Sequence, residues 1–135
     1  MSAGYSDTPL AKKLGIKPGM RVRLVDAPDD YVDFVSGLDD VSVLGRTQKP
    51  IDFAHVFATR ERSLERALPP LHRALERHGM IWISWPKGSS SIASEINRED
   101  VRRIGLATGL VDVKVCAVDA DWSGLKFVIR VADRS

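Results

Sequence analysis

Ile51-Asp52-Phe53-Ala54-His55-Val56-Phe57-Ala58 and, further on, Met80-Ile81-Trp82-Ile83-Ser84-Trp85 decide the fold class. The first run is almost continuously apolar, the pattern of a strand covered on both faces in a parallel sheet, and the second reads as another buried strand. Between them Leu64, Leu68, Leu71 and Leu75 recur at helical spacing, while Arg62, Arg66, Arg73 and Arg77 fall on the opposite face. Pro69 and Pro70 predict a kink there, or two abutting helices. Strand, helix, strand is the repeating unit of an α/β sheet.

Reading outward toward the N-terminus, Val41-Ser42-Val43-Leu44 is a short strand, and Pro28 to Val35 places Tyr31, Phe34 and Val35 at helical spacing. Arg21-Val22-Arg23-Leu24-Val25 alternates as a strand does, and Lys17-Pro18-Gly19 supplies a turn with a glycine suited to positive φ. Thr8 to Gly15 predicts a short helix, capped by Thr8, entered by Pro9 and stopped by Gly15. Toward the C-terminus, Asn97 followed by Arg98, Glu99 and Asp100 marks a capped helix start; Val101, Ile104 and Thr108 continue one face to Gly109. Two strand-like runs, Val111 to Val118 and Leu125 to Val131, stand close enough together for an antiparallel hairpin. The first strand is expected at the centre of the sheet, flanked by the short second strand and by Ile51 to Ala58, with the hairpin closing the far edge.

The 135 residues predict a single domain, an arm over 1–19 and an α/β core over 20–135. Hydrophobic residues make up 44% and charged residues 28%, a balance that excludes disorder. No apolar run approaches the roughly 20 residues that span a bilayer, and the first residues have neither the basic nor the apolar region of a signal peptide. A cytoplasmic protein without membrane association is therefore expected. The lone Cys116 excludes an internal disulfide, and the net charge of +2 gives no reason to expect nucleic acid.

The order from Ile51 through the long helix to Leu75-Glu76-Arg77-His78-Gly79-Met80-Ile81-Trp82-Ile83 resembles the second half of class I methyltransferases. There an Asp opens the fourth strand, a helix closing in a Leu…Gly turn feeds the fifth, and a terminal hairpin forms the sixth and seventh. Gly4 to Ile16, Trp82 to Lys87 and Asp112 to Lys126 also resemble the small bacterial family called domain of unknown function 3052. Together these resemblances imply a reduced Rossmann-like three-layer sandwich, a mostly parallel sheet of about six strands ending in an antiparallel hairpin. They do not imply an activity. In the methyltransferase pattern a glycine-rich loop follows the first strand, and an acidic residue at the end of the second takes the ribose hydroxyls. Here the loop reads Asp26-Ala27-Pro28-Asp29-Asp30 and the strand end Leu44-Gly45-Arg46. No cofactor is therefore expected, and S-adenosylmethionine is disfavoured. Asp26, Asp29 or Asp30 can hold a ribose or a cation, or can simply cap the next helix, whose positive end favours carboxylates.

Ligands of open α/β sheets sit beyond the carboxyl ends of the strands. That edge should carry Asp26, Thr59, Arg60, Trp85 and Lys87, with Trp122 nearby. Lys87-Gly88-Ser89-Ser90-Ser91 can cradle an anion with backbone N–H groups, although a flexible polar loop has the same composition and the P-loop spacing is absent. Trp85 and Trp122 can form an aromatic wall for a planar ligand, or can close the end of a core. The arginine stripe can meet phosphates, but Glu61, Glu65 and Glu76 are interleaved with it; pairs such as Arg62 with Glu65 and Arg73 with Glu76 fit a solvated face, so nucleic acid is disfavoured.

His55 lies in a buried strand, and His72 and His78 do not share a helical face, so no metal site is expected. His78 near a helix end fits the dipole, Cys116 reads as an inert core thiol, and no catalytic residue is assigned. Three functions remain open: a non-catalytic binding or regulatory module with a protein partner, a protein or enzyme taking a small anionic or S-adenosylmethionine-type ligand, and a nucleic-acid accessory protein.

Overall fold

In the computed structural model, which describes residues 8–134, six strands form one sheet in the order β2-β1-β3-β4-β6-β5. They are β1 (Arg21–Val25), β2 (Ser42–Val43), β3 (Ile51–Phe57), β4 (Leu75–Pro86), β5 (Leu110–Ala117) and β6 (Trp122–Ile129). β1 pairs in parallel with β2 and β3, and β3 in parallel with β4; β6 runs antiparallel to both β4 and β5. The first strand is thus flanked as expected and the hairpin closes the far edge, but β1 is not central: the short β2 alone lies outside it, and β3 and β4 hold the middle of the sheet. Among the described residues no helix is long and apolar enough to cross a membrane. The Gly4-to-Asp7 part of the family resemblance and the Thr8 side chain, read as a cap, fall outside the described part.

The sheet separates two apolar layers. Helices α1 (Thr8–Leu14) and α2 (Asp29–Ser36) cover one face, where Leu10, Leu14, Tyr31 and Val35 meet Val22, Leu24, Phe53, Phe57 and Trp82. Helices α3 (Glu61–Ala74) and α4 (Arg98–Ala107) cover the other, where Leu64, Leu68, Leu71, Val101 and Ile104 meet Ala54, Val56, Ile81, Ile83, Leu125 and Phe127. Alternate residues of β3 serve opposite layers, which is why this strand reads as continuously apolar. α1 is tied down where the indole N–H of Trp82 donates to the Leu14 carbonyl at 2.8 Å. Gly15 and Gly19 take positive φ, as the turn residues around Pro18 required.

Several boundaries differ from expectation. α3 runs unbroken through Pro69 and Pro70 instead of dividing into two helices. The prolines withdraw N–H groups from the carbonyls of Glu65 and Arg66, two exposed residues where water can replace the lost bonds, while Leu64, Leu68 and Leu71 hold the helix to the sheet. Leu75 does not extend that helical face: its ψ of 133° is extended, and it opens β4 opposite Ile51. Arg77 and His78 therefore lie in β4, so the stripe on the helix keeps three arginines and His78 is no helix-end histidine. The register slips before Phe53↔Met80, and Gly79 fills the tight spot, because a Cβ there would meet Leu75 Cδ1 at 2.7 Å and the Asp52 carbonyl at 3.0 Å. The second strand shrinks to two residues, and the hairpin strands end at Ala117 and Ile129, leaving Val131 in a short 3-10 turn.

On β5 the register shifts between Asp112 and Lys114, so Val113 is an extra residue. A bulge and an exposed lysine are the usual protection of an edge strand against pairing with another chain. Lys114 stands directly across from Lys126, and partial burial followed by the charges of Lys114 and Lys17 lowers the Lys126 pKa.

α4 begins as its sequence dictates. The Asn97 side chain accepts the Asp100 N–H at 3.1 Å, and the Asp100 carboxylate accepts the Asn97 N–H at 3.0 Å. Asn97→Ala removes one half of this capping box and should cost about 1 kcal/mol, read as a lower urea midpoint at unchanged slope.

Candidate functional site

Because β1, β3 and β4 are parallel, their ends at Val25, Phe57 and Pro86 share one edge, and antiparallel β6 begins at that edge with Trp122 opposite Pro86. Asp26, Thr59, Arg60, Trp85, Lys87 and Trp122 therefore lie along it. They do not converge on one cavity. Trp85, Lys87 and Ser90 line a hollow of about 280 Å³ with Ser94 and Asn97; Arg60 lines another with Glu95, and Asp26 a third. Ser89 and Ser91 follow in the loop, where Ser91 is exposed beside Ser90 and Ser89 faces solvent.

The loop after β4 is held by its own bonds. The Lys87 N–H donates to the Asp121 carbonyl at 2.8 Å, and the Ser90 N–H to the Lys87 carbonyl at 3.0 Å. The Ser90 hydroxyl donates to the Asp121 carboxylate at 2.8 Å and accepts the Ile92 N–H at 3.1 Å. The neighbouring Asp119 carboxylate accepts the N–H groups of Asp121 and Trp122. A carboxylate thus occupies the Ser90 hydroxyl that an anion would need, and its charge opposes one there.

The two tryptophans belong to opposite faces of the sheet. Trp85 pairs with Ser123 and joins the α3–α4 layer; Trp122 joins the α1–α2 layer, its ring T-shaped against Phe57 at 5.1 Å. They cannot form a common aromatic wall, and each closes the end of its own layer. The Thr59 carbonyl accepts the Glu95 N–H at 2.8 Å, and Arg60 faces Glu95 at 3.5 Å in an exposed pair. Such a pair contributes little. The expected pairs of Arg62 with Glu65 and Arg73 with Glu76 are not among the ion pairs of the described residues; Glu61 instead meets Arg103 of α4 at 2.9 Å.

The β1–α2 turn is made without glycine. Asp26 itself takes φ 55°, the left-handed region that costs most side chains about 1 kcal/mol and that Asp tolerates better than most. Pro28 precedes the helix at φ −59° and its carbonyl accepts the N–H groups of Tyr31 and Val32. No side chain caps α2, so the capping role open to Asp26 is not used; Asp29 and Asp30 lie in the first turn, where the helix dipole favours them. At the end of β2, Arg46 turns to Gln48.

The sequence reading missed a buried polar chain between these elements. His55 on β3 is fully buried; its Nδ1 lies 2.6 Å from the Tyr31 hydroxyl of α2, and its Nε2 2.6 Å from the Ser84 hydroxyl of β4. A neutral imidazole has one donor and one acceptor nitrogen, and two hydroxyls complement either tautomer. Burial pushes its pKa down to about 3, so the ring is neutral, stacked on Phe57 at 4.3 Å. The signal was a His and a Ser inside apolar strands, since polar groups at such positions have partners. This chain holds α2, and with it the Asp26 turn, to the centre of the sheet. Cys116 is buried, and among the described residues no group of His, Cys, Asp and Glu is arranged to hold a metal ion.

No family model matches the chain, so none supports the resemblance to domain of unknown function 3052. No curated protein matches it either. Solved structures do. The chain is similar to a SAM-dependent methyltransferase from Aquifex aeolicus, with a TM-score of 0.61 and 19% identity over 90% of this chain and 88% of that one. A TehB-like SAM-dependent methyltransferase from Corynebacterium glutamicum gives a TM-score of 0.56 and 13% identity, covering 90% and 86%. Aeropyrum pernix fibrillarin, solved with bound S-adenosyl-L-methionine, gives 0.56 and 13%, covering 89% and 73%. At such identities the likeness shows the fold.

Proposed function

We propose that the chain is a non-catalytic binding or regulatory module on the fold it shares with SAM-dependent methyltransferases. The observation that carries the reading is the β1–α2 turn. Where close approach of a cofactor calls for glycines, this chain has Asp26, Ala27 and Pro28, of which Asp26 projects a carboxylate and Pro28 lacks an N–H. The end of β2 offers Leu44-Gly45-Arg46 and no acid for a ribose. The hollow beside Asp26 measures about 270 Å³, below the roughly 300–1,000 Å³ of pockets that bury a drug-sized ligand, so it is small for a nucleoside cofactor.

A second reading, binding of an S-adenosylmethionine-type ligand, is favoured by one specific observation. Asp26 reaches the positive φ that a glycine would supply, and strain of this kind collects at binding sites. Isothermal titration of S-adenosylhomocysteine into the whole chain separates the two. The module reading expects no saturable heat. Micromolar binding that is lost in Asp26→Ala would overturn it and establish the second reading.

A further inference from the structure

Residues 44–50 lead from β2 straight into β3 without a helix, and β2 is only two residues long. The α3-side face of β1 is left without a helix of its own as a result. Arg23 and Val25 project onto that face, since Val22 and Leu24 serve the opposite layer. Across from them α3 turns one flank, Ser63, Arg66, Ala67 and Pro70, at spacings of three, one and three. Together with Thr47 and Asp26 these residues enclose the hollow of about 270 Å³ at the carboxyl end of β1.

Its lining sets two basic side chains and two hydroxyls among the apolar surface of Val25, Ala67 and Pro70. Arg23 is half-buried and fixed in place: its Nε donates to the Thr47 hydroxyl at 3.2 Å and its Nη1 to the Leu24 carbonyl at 2.9 Å. With its oxygen accepting from Arg23, the Thr47 hydroxyl keeps its own proton to donate. Arg66 and Ser63 add a second guanidinium and a second hydroxyl from α3. Neither arginine takes part in an ion pair among the described residues. The one carboxylate, Asp26, stands at the turn end of the hollow. Two guanidiniums and two hydroxyls match the oxygens of a phosphoryl group, for which Arg is the preferred partner. Asp26 would repel a second anion but accept a hydroxyl or amine proton from the rest of the molecule.

We propose that this hollow binds a small phosphate monoester, its phosphoryl group between Arg23 and Arg66 and a hydroxyl-bearing body toward Asp26. The inference deepens the binding-module reading by naming a ligand class, and it rests on that reading only for the absence of a chemical step. The test is a nuclear magnetic resonance titration of the whole chain with glycerol 3-phosphate, alongside inorganic phosphate and sodium chloride at equal ionic strength. Saturable shifts are expected at residues 23–26, 47 and 63–67, with glycerol 3-phosphate bound more tightly than phosphate. Arg66→Gln should weaken binding about tenfold or more while leaving the unliganded melting temperature unchanged, because Arg66 is exposed. Ser63→Ala should weaken it severalfold, a second readout should Arg66→Gln perturb α3. Equal affinity for phosphate and the ester, unchanged affinity in both variants, or shifts confined to residues 87–92 would each overturn the proposal. None of these outcomes depends on the S-adenosylhomocysteine titration, so either reading can fail alone.

Discussion

Lowering the pH from 7.5 to 5 should destabilise the protein by about 2 kcal/mol through His55 alone. The imidazole has a pKa of about 3 in the folded chain, lowered by burial from 6.5. Between those values the unfolded chain takes up the proton and the folded chain does not. The stability contribution of the neutral ring is therefore complete above pH 6.5 and declines by about 1.4 kcal/mol per pH unit as pH falls toward 3. Acidification acts on more than this one group, so the measurement is a difference in slope. Urea midpoints from pH 7.5 to 5 are compared for the wild type and His55→Gln, which lacks the titrating group. The variant should start less stable, because Tyr31 and Ser84 lose a well-fitted partner, and should then lose less stability on acidification. Parallel slopes would show that His55 does not remain neutral in the core. Tyr31→Phe, which leaves one imidazole nitrogen unsatisfied, should cost about 1–3 kcal/mol at pH 7.5.

Gly105→Ala should destabilise the protein by roughly 2 kcal/mol, although alanine is the better helix former by about 1 kcal/mol. Gly105 is buried in the interior of α4 and faces Phe127 of β6. A Cβ there would overlap the edge of the Phe127 ring, closer than the 3.0 Å that such contacts keep. Phe127 is fully buried in the α3–α4 layer, so ring or helix can withdraw only by disturbing that packing. Gly105→Val should cost more. Gly88→Ala is the control: nothing lies within 4 Å of a Cβ at Gly88, and its midpoint should move by only a few tenths of a kcal/mol. If Gly105→Ala raised the urea midpoint, helix propensity would outweigh packing, and α4 would not sit against β6 as described.

Local patterns carry only part of such arguments. Gly105 stands in the sequence as one more weak helix residue, and nothing near it names Phe127, which comes from a strand beyond the hairpin turn. Trp85 and Trp122 are a comparable case. Their approach to one edge follows from strand order, but which face each takes depends on the pairing of Trp85 with Ser123. The candidate edge was legible as a row of strand ends; its division into separate hollows, and the bond from Ser90 to Asp121, were not.

By itself the sequence determined the α/β alternation, the closing hairpin, the Asn97 cap and the glycine turns around Pro18. These rest on interactions within a few residues: a period of two or 3.6, a side chain reaching three residues on, a φ that only a permissive residue adopts freely. The tertiary structure alone decided that α3 continues through two prolines, that Asp26 bends left-handed, and that β1 keeps one face open beside α3. It also decided that His55 is neutral between Tyr31 and Ser84, partners 24 and 29 residues away. Burial and hydrogen bonding across such separations are set only when strands have paired and helices have settled on them, and a one-dimensional pattern holds no record of which face meets which.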